Sequence, residues 1–257
     1  MFPLVLGILL LCNSHVLGED PNKSQFDYLE KYGYLEPDDS FGIGVRSGAE
    51  IQRALIEFQE FAGLEPTGKL DEQTRLVMKS SRCGNKDKVA NFVLSKGWAK
   101  QDLTFRIKNS PANTRLTEKE VNQVIERAFA TWQEVSGLKF KKRSSGSADI
   151  NISFERADHG DGEDDRGFVP GELGHAFFPK HGGDMHLADS ESWTDDEYNG
   201  KNLFGIVLHE LGHSLGLDHS KAKGAVMQAI YRGWDPFLRL DQDDIDGVTA
   251  LYGDKNY

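Results

Sequence analysis

Residues 209–219 read His209-Glu210-Leu211-Gly212-His213-Ser214-Leu215-Gly216-Leu217-Asp218-His219, and the rest of the chain is best read outward from them. On an α-helix, positions four apart share a face, so His209 and His213 can offer two imidazoles to one ion. Gly216 permits the backbone conformation that ends such a helix and turns the chain sharply, bringing in His219 as a third ligand. Three nitrogens leave the fourth tetrahedral position of a zinc ion open to water, which marks a catalytic rather than a structural site. Glu210, next to His209, can reach that water and take its proton as it attacks a peptide carbonyl, while zinc stabilises the oxyanion. The alternative is a helix with satisfied core histidines and an outward glutamate.

The flanking sequence predicts an α+β unit over 92–257. Leu103 to Ile107 alternates as a strand does, as do Leu138 to Lys142 and Asp149 to Phe154. Thr117-Glu-Lys-Glu120 has the form of a capping box, opening a helix with Val121, Val124, Ile125, Ala128, Phe129 and Trp132 on one face. A long Gly- and Asp-rich stretch follows. A helix is expected from about Asn202 to Leu215, and a last one from near Asp241, with Ile245, Val248 and Leu251 inward.

Upstream, residues 19–91 predict a small helical unit. Ser47-Gly-Ala-Glu50 is another capping-box pattern, opening a helix with Ile51, Leu55, Phe58 and Ala62 on one side that Gly63 can close. Further helices are expected near Phe26 to Tyr32 and from Asp71 through Leu76 and Met78, with Lys86 to Ala90 as a polar linker. Residues 1–18 have the apolar run and small-residue end of a secretory signal peptide, without the usual leading positive charge. Of the two cysteines, Cys12 would leave with that segment. Cys83 would then be an unpaired thiol needing a partner, a metal or a reactive role. Its neighbours Arg82, Asn85, Lys86 and Asp87 argue against a buried apolar setting. A net charge of -11 argues against a nucleic-acid binder, and no long apolar run beyond the N-terminus suggests a transmembrane segment.

Met227 lies eight residues past His219. The extended zinc motif plus this methionine resembles the metzincin clan, and within it the chain is similar to the matrix metalloproteinases (matrixins) over nearly everything after residue 18. The resemblance implies a helical propeptide followed by a metzincin catalytic domain: a twisted, mostly parallel sheet with three helices and zinc in the cleft. Met227 would lie on a turn beneath the zinc. Matrixin precursors carry a Pro-Arg-Cys-Gly-x-Pro-Asp segment whose thiolate fills the open zinc position. Arg82, Cys83, Gly84 and Asp87 match it, whereas Ser81 and Lys86 replace the prolines. Thiolate is a good zinc ligand, at about 2.3 Å. Loss of both prolines is expected to loosen the segment and weaken latency.

The resemblance also implies further sites. His159, Asp161, His175 and His186 match the ligands of a structural zinc, with altered spacing around His175, and His181 is spare. Asp149, the Gly182 carbonyl and Asp184 resemble one calcium site. Of a second only Glu191 is kept, Arg166 and Ala188 standing where acids are expected, and Asp164, Asp165 or Asp189 are the substitutes to consider. Tyr231, Ala229 and Gly205 occupy positions that shape the pocket for the residue after the scissile bond, and an open pocket for large apolar side chains is expected.

Taken together these readings imply a secreted, latent zinc endopeptidase acting on extracellular-matrix or cell-surface proteins through a zinc-activated water. An activating protease would cut near Phe92, and the freed terminus would pair with an acid of Asp243-Asp244. Partners would include tissue-inhibitor-type proteins. The chain stops at Tyr257, resembling minimal matrixins without a propeller-type domain, for which broad proteolysis is expected rather than cleavage of triple-helical collagen. Two other readings stay open here: a secreted module using zinc only for structure, and a wall-binding protein, because residues up to Met78 resemble peptidoglycan-binding modules.

Overall fold

The computed structural model describes residues 23–36, 46–87, 96–156, 159–160, 167–196 and 199–254. The signal-peptide reading, Phe92, Asp161, Asp164, Asp165 and Arg166 lie outside these residues.

Three helices form the N-terminal unit: α1 (Lys23–Lys31), α2 (Gly48–Phe61) and α3 (Glu72–Met78). The caps explain their bounds. Ser47 accepts from the Glu50 amide at 3.2 Å, and Asp71 accepts from the Thr74 amide at 2.9 Å. The Ser47 box is half a box: Glu50 turns instead toward Arg46, 3.6 Å away. Gly63 closes α2 with φ 71°. Leu29, Tyr32, Leu55 and Phe58 are buried together in the core of this unit.

The second unit packs a six-stranded sheet against two long helices. This unit supplies β2 (Asp102–Ile107), β3 (Lys139–Lys142), β4 (Ile150–Glu155), β5 (Glu172–Ala176) and β6 (Met185–Ala188), and the N-terminal unit adds β1 (Arg82–Cys83), in the spatial order β1-β5-β6-β4-β2-β3. All neighbours are parallel except β5 and β6, as a mostly parallel sheet requires. A short parallel pair, β7 (Trp193–Thr194) with β8 (Lys201–Asn202), leads into the motif helix. The helices are α4 (Glu118–Val135), α5 (Leu203–Ser214) and α6 (Gln242–Tyr252). In α4 both halves of the Thr117–Glu120 box are present, and all six apolar residues expected inward are buried. The architecture is α+β, with three helices in this unit.

Two expectations need correction. The Gly- and Asp-rich stretch contains β5 and β6, a hairpin-like pair that sequence alternation did not reveal. The polar linker starts later than Lys86, because the Asp87 side chain is fully buried against the second unit.

β1 is the edge strand of the larger sheet. Residues 81–84 cross the cleft between β5 and the chain after Met227, tied on both sides. The Arg82 amide donates to Gly171 O (2.9 Å), the Cys83 amide to Ala229 O (2.9 Å), the Gly84 amide to Gly174 O (2.7 Å) and the Tyr231 amide to Ser81 O (2.8 Å).

Candidate active site

The motif helix α5 starts where expected, with the Asn202 side chain accepting from the Gly205 amide at 2.8 Å. It ends at Leu215, and Gly216 takes a positive φ of 104°. Here glycine is needed, since L side chains rarely adopt that backbone. The turn brings His219 back to the helix, so that one ligand atom each from His209, His213, His219 and Cys83 lies within 4.8 Å of the others.

Ring orientation is fixed by backbone carbonyls. Nδ1 of His209 lies 2.7 Å from Val226 O, and Nδ1 of His213 lies 2.7 Å from Leu217 O. A carbonyl can only accept, so each Nδ1 carries the proton and each Nε2 presents a lone pair. Nδ1 of His219 lies 2.9 Å from Asp87 Oδ1. Nε2 of His209 and of His219 are buried and have no protein partner. Buried polar atoms are rarely left so, and inward lone pairs on three imidazoles beside a thiol suit zinc. Burial, and secondarily the neighbouring His219, lowers the pKa of His209 to about 3, and burial with the two adjacent imidazoles lowers that of His213 well below the usual histidine value, keeping both neutral as ligands must be.

The thiol stands over the same point. Cys83 Sγ is 3.5 Å from His213 Nε2 and donates to Glu210 Oε2 at 3.4 Å. Burial pushes the Glu210 carboxyl up to about 8, and burial with the Glu210 charge pushes the Cys83 thiol well above its usual range. A bound dication acts in the opposite sense on a coordinating thiol.

Cys83 is 4% exposed, against the expectation drawn from its charged neighbours. Those neighbours satisfy one another. Arg82, 2% exposed, reaches Asp87 at 2.5 Å, donates to the Tyr28 hydroxyl at 2.6 Å and stacks 3.4 Å over the Tyr32 ring. The Tyr34 hydroxyl donates to Asp87 at 2.8 Å. At one of the two positions where the family carries proline, the Ser81 hydroxyl accepts from Lys201 Nζ at 2.7 Å.

Met227 is 2% exposed and underlies α5. A Cβ built on Gly212 would stand 2.2 Å from the Met227 sulfur, so any larger residue would have to displace the Met227 side chain. Sequence reasoning missed Gly212, whose sole signal was its place between the two helical histidines. Asp244 is 1% exposed and accepts from the Val226 and Met227 amides at 2.8 and 3.1 Å. It therefore holds the turn that orients His209. Asp243 accepts from the Ser220 hydroxyl at 2.6 Å.

Beside the cluster lies a cavity of about 190 Å³ lined by Gly205, Ile206, Val226, Ala229, Tyr231 and Leu238, among others. The Tyr231 hydroxyl accepts from the Asn202 amide at 2.9 Å, fixing one wall. A Cβ on Gly205 would meet Leu238 at 3.2 Å, so residue 205 does bear on this space.

His159, His175 and His186 form a second cluster. His175 and His186 face each other in register across β5 and β6, and the Nε2 atoms of His159 and His175 are 3.5 Å apart. His181 is exposed on a turn. Of the residues expected to bind calcium, Asp149, Gly182 and Asp184 line one cavity, and Glu191 is not among its lining residues. Asp149 pairs with Lys100 at 2.7 Å and accepts from Thr104. Asp184 accepts from the Asn151 amide at 2.9 Å, and Gly182 ends the turn at 179–181. Asp189 pairs with Arg156. Among the described residues no helix is long and apolar enough to cross a membrane.

Comparison with known proteins agrees with this geometry. The family described as Matrixin matches residues 97–253, and the putative peptidoglycan binding domain matches residues 27–78. Interstitial collagenase of Sus scrofa is 43% identical over 272 residues, covering 98% of this chain and 56% of that protein. Stromelysin-1 of Mus musculus is 41% identical over 269 residues, covering 98% and 54%. The hatching enzyme of Paracentrotus lividus is 41% identical over 230 residues, covering 88% and 38%. The chain thus spans about half or less of the length of these relatives. With a family match over more than half of its residues, the chain belongs to the matrixins, a family of zinc-dependent metalloendopeptidases.

Proposed function

We propose that this chain is a secreted zinc endopeptidase made in latent form, with residues 19–91 as its propeptide, and that it cleaves extracellular-matrix or cell-surface proteins. The observation that carries the reading is Cys83. A thiol from the N-terminal unit completes a cluster of three buried histidine nitrogens and also touches the one carboxylate suited to act as base.

His209, His213 and His219 would hold the catalytic zinc, and Cys83 would be its fourth ligand until the propeptide leaves. When bound, zinc supplies a Lewis acid that polarises the peptide carbonyl and eases deprotonation of water. Glu210, freed of the Cys83 thiol, accepts the proton of the attacking water and passes it to the leaving amine. The cavity beside Tyr231 orients the substrate by holding a large apolar side chain after the scissile bond. His159, His175 and His186, with Asp161, would hold a structural zinc. Calcium, expected of the family, would bind near Asp149, Gly182, Asp184 and Glu191. Collagenase and stromelysin relatives motivate matrix proteins as substrates.

The test uses a quenched peptide with a large apolar residue after the scissile bond. The full chain should be silent, should gain activity with a thiol-modifying reagent and lose it to a chelator, and should stay silent as Glu210→Ala. Silence of every sample despite bound zinc and loss of the propeptide would leave a structural zinc module.

A further inference from the structure

Glu172 has no part in the reaction just described, yet it is a carboxylate only 3% exposed at the start of β5. Its own unit gives it little: one oxygen accepts from the Val169 amide at 3.1 Å. The other partners come from the N-terminal unit. Lys31 Nζ lies 2.6 Å from Oε1, and the Tyr32 hydroxyl donates to that same oxygen at 2.7 Å. A buried carboxylate is tolerated only when paired, so the propeptide supplies what this position demands.

Its place in the cleft matters equally. Glu172 is the register partner of Arg82 across the β1–β5 pair. A Cβ built on Gly84 would come 3.4 Å from the Glu172 carboxyl carbon, so the carboxylate lies against the residue that follows Cys83. It borders the path of the inhibitory segment, one residue from the thiol that occupies the reaction centre.

We propose that Glu172 is a specificity-determining residue that selects a lysine or arginine side chain close to the scissile bond of the substrate. The inference rests on the proposed departure of the propeptide. With residues 23–87 gone, Glu172 loses the ammonium and the phenol and keeps only the Val169 amide. β5 becomes an edge strand, and an extended peptide can join it through backbone hydrogen bonds. Such a peptide passes where Arg82 to Gly84 lay. A basic side chain there restores the charge-assisted bond that Lys31 had made, whereas an acidic one meets a like charge. The propeptide thus displays, in Lys31, the chemistry that the cleft selects.

The alternative is a carboxylate that serves only to dock the N-terminal unit, which predicts no preference once that unit has gone. The two are separated with the full chain, activated by a thiol-modifying reagent and allowed to shed its propeptide. A fixed peptide core carries a single lysine walked across the three residues on each side of the cut, each paired with its glutamine counterpart. One position should show kcat/KM about tenfold higher for lysine, the scale of one charge-assisted hydrogen bond. In Glu172→Gln that ratio should fall to about one, and in Glu172→Lys a glutamate peptide should overtake glutamine at the same position. Equilibrium binding of the same labelled peptides is read in parallel and needs no turnover. A lysine preference in binding that Glu172→Gln abolishes, without hydrolysis, would support Glu172 and sink the peptidase reading. A ratio near one at every position in the unsubstituted protein, by rate and by binding, or a ratio unchanged in Glu172→Gln, would overturn the proposal.

Discussion

The two histidine clusters use the same side chain and differ in what holds it. In the motif cluster, His209 and His213 project from one helix, and a backbone carbonyl 2.7 Å from each Nδ1 fixes their rings. Both residues are nearly inaccessible, at 5% and 1% exposure, and the His219 side chain is equally covered. In the second cluster, His175 and His186 face each other on neighbouring strands, while His159 comes from a loop and is only half-buried. The first arrangement sets ligand direction before a metal arrives, and its fourth ligand comes from a separate unit that can leave. The second ties a loop to a strand pair from within one unit. Preorganisation with a removable ligand suits chemistry, and an internal tie suits stability.

The sharpest way to break this contrast is to remove one ligand from each side. His209→Ala should lose one zinc equivalent and more than about 10³-fold in peptidase rate, because several kcal/mol of transition-state stabilisation go with the metal. Metal content by atomic emission and turnover of the thiol-activated protein are the measurements. Retained activity with one zinc lost would mean that the chemistry sits at the other cluster.

Next in size is the removable ligand itself. Asp87→Asn leaves Arg82 buried without its ion-pair partner and takes the carboxylate from His219. Breaking a buried pair from one side costs about 3–5 kcal/mol, and the share carried by the His219 contact falls on the docking of residues 81–87. Activity should then emerge without any thiol reagent. A variant as silent as the parent would show that Cys83 alone closes the site.

The contrast was legible in sequence to very different degrees. The motif helix announced itself through its spacing, the Asn202 start and the Gly216 turn, all local features that the structure keeps. The capped helices α3 and α4 were readable for the same reason. The second cluster was found only through resemblance, because β5 is short and broken by Gly174, β6 is short and buried along its whole length, and their pairing is with each other and with distant strands. Burial of Cys83 was misread since Arg82 and Asp87 look like solvated charges until Tyr28, Tyr34 and His219 are brought to them from afar. Gly212 had no signal of its own, because its reason is the Met227 sulfur packed against it.

A smaller effect should come from the second cluster. His175→Ala should also lose one zinc equivalent, with activity largely kept. A metal held at a hundredfold excess over its Kd stabilises the fold by about 2.7 kcal/mol. For a chain of this size that is a fall in Tm of about 5–10 °C. A loss of activity as deep as that of His209→Ala, with Tm unchanged, would erase the functional distinction between the clusters.

The smallest effect tests how the removable ligand is tethered. Ser81 stands where relatives of the resemblance carry proline, and its hydroxyl accepts from Lys201 Nζ at 2.7 Å. Its carbonyl accepts from the Tyr231 amide, a bond that survives any substitution at 81 that keeps the backbone. Ser81→Ala removes only the hydroxyl and should cost about 1.5 kcal/mol, speeding spontaneous activation roughly tenfold. Ser81→Pro also loses the hydroxyl but stiffens the free segment, returning about 0.4–1 kcal/mol. The three proteins should therefore activate in the order alanine fastest, proline intermediate, serine slowest, in a discontinuous assay of released peptidase activity. If alanine matches serine, the part-buried Lys201 contact adds nothing net to latency. Latency would then rest on the buried Arg82–Asp87 pair and the metal alone.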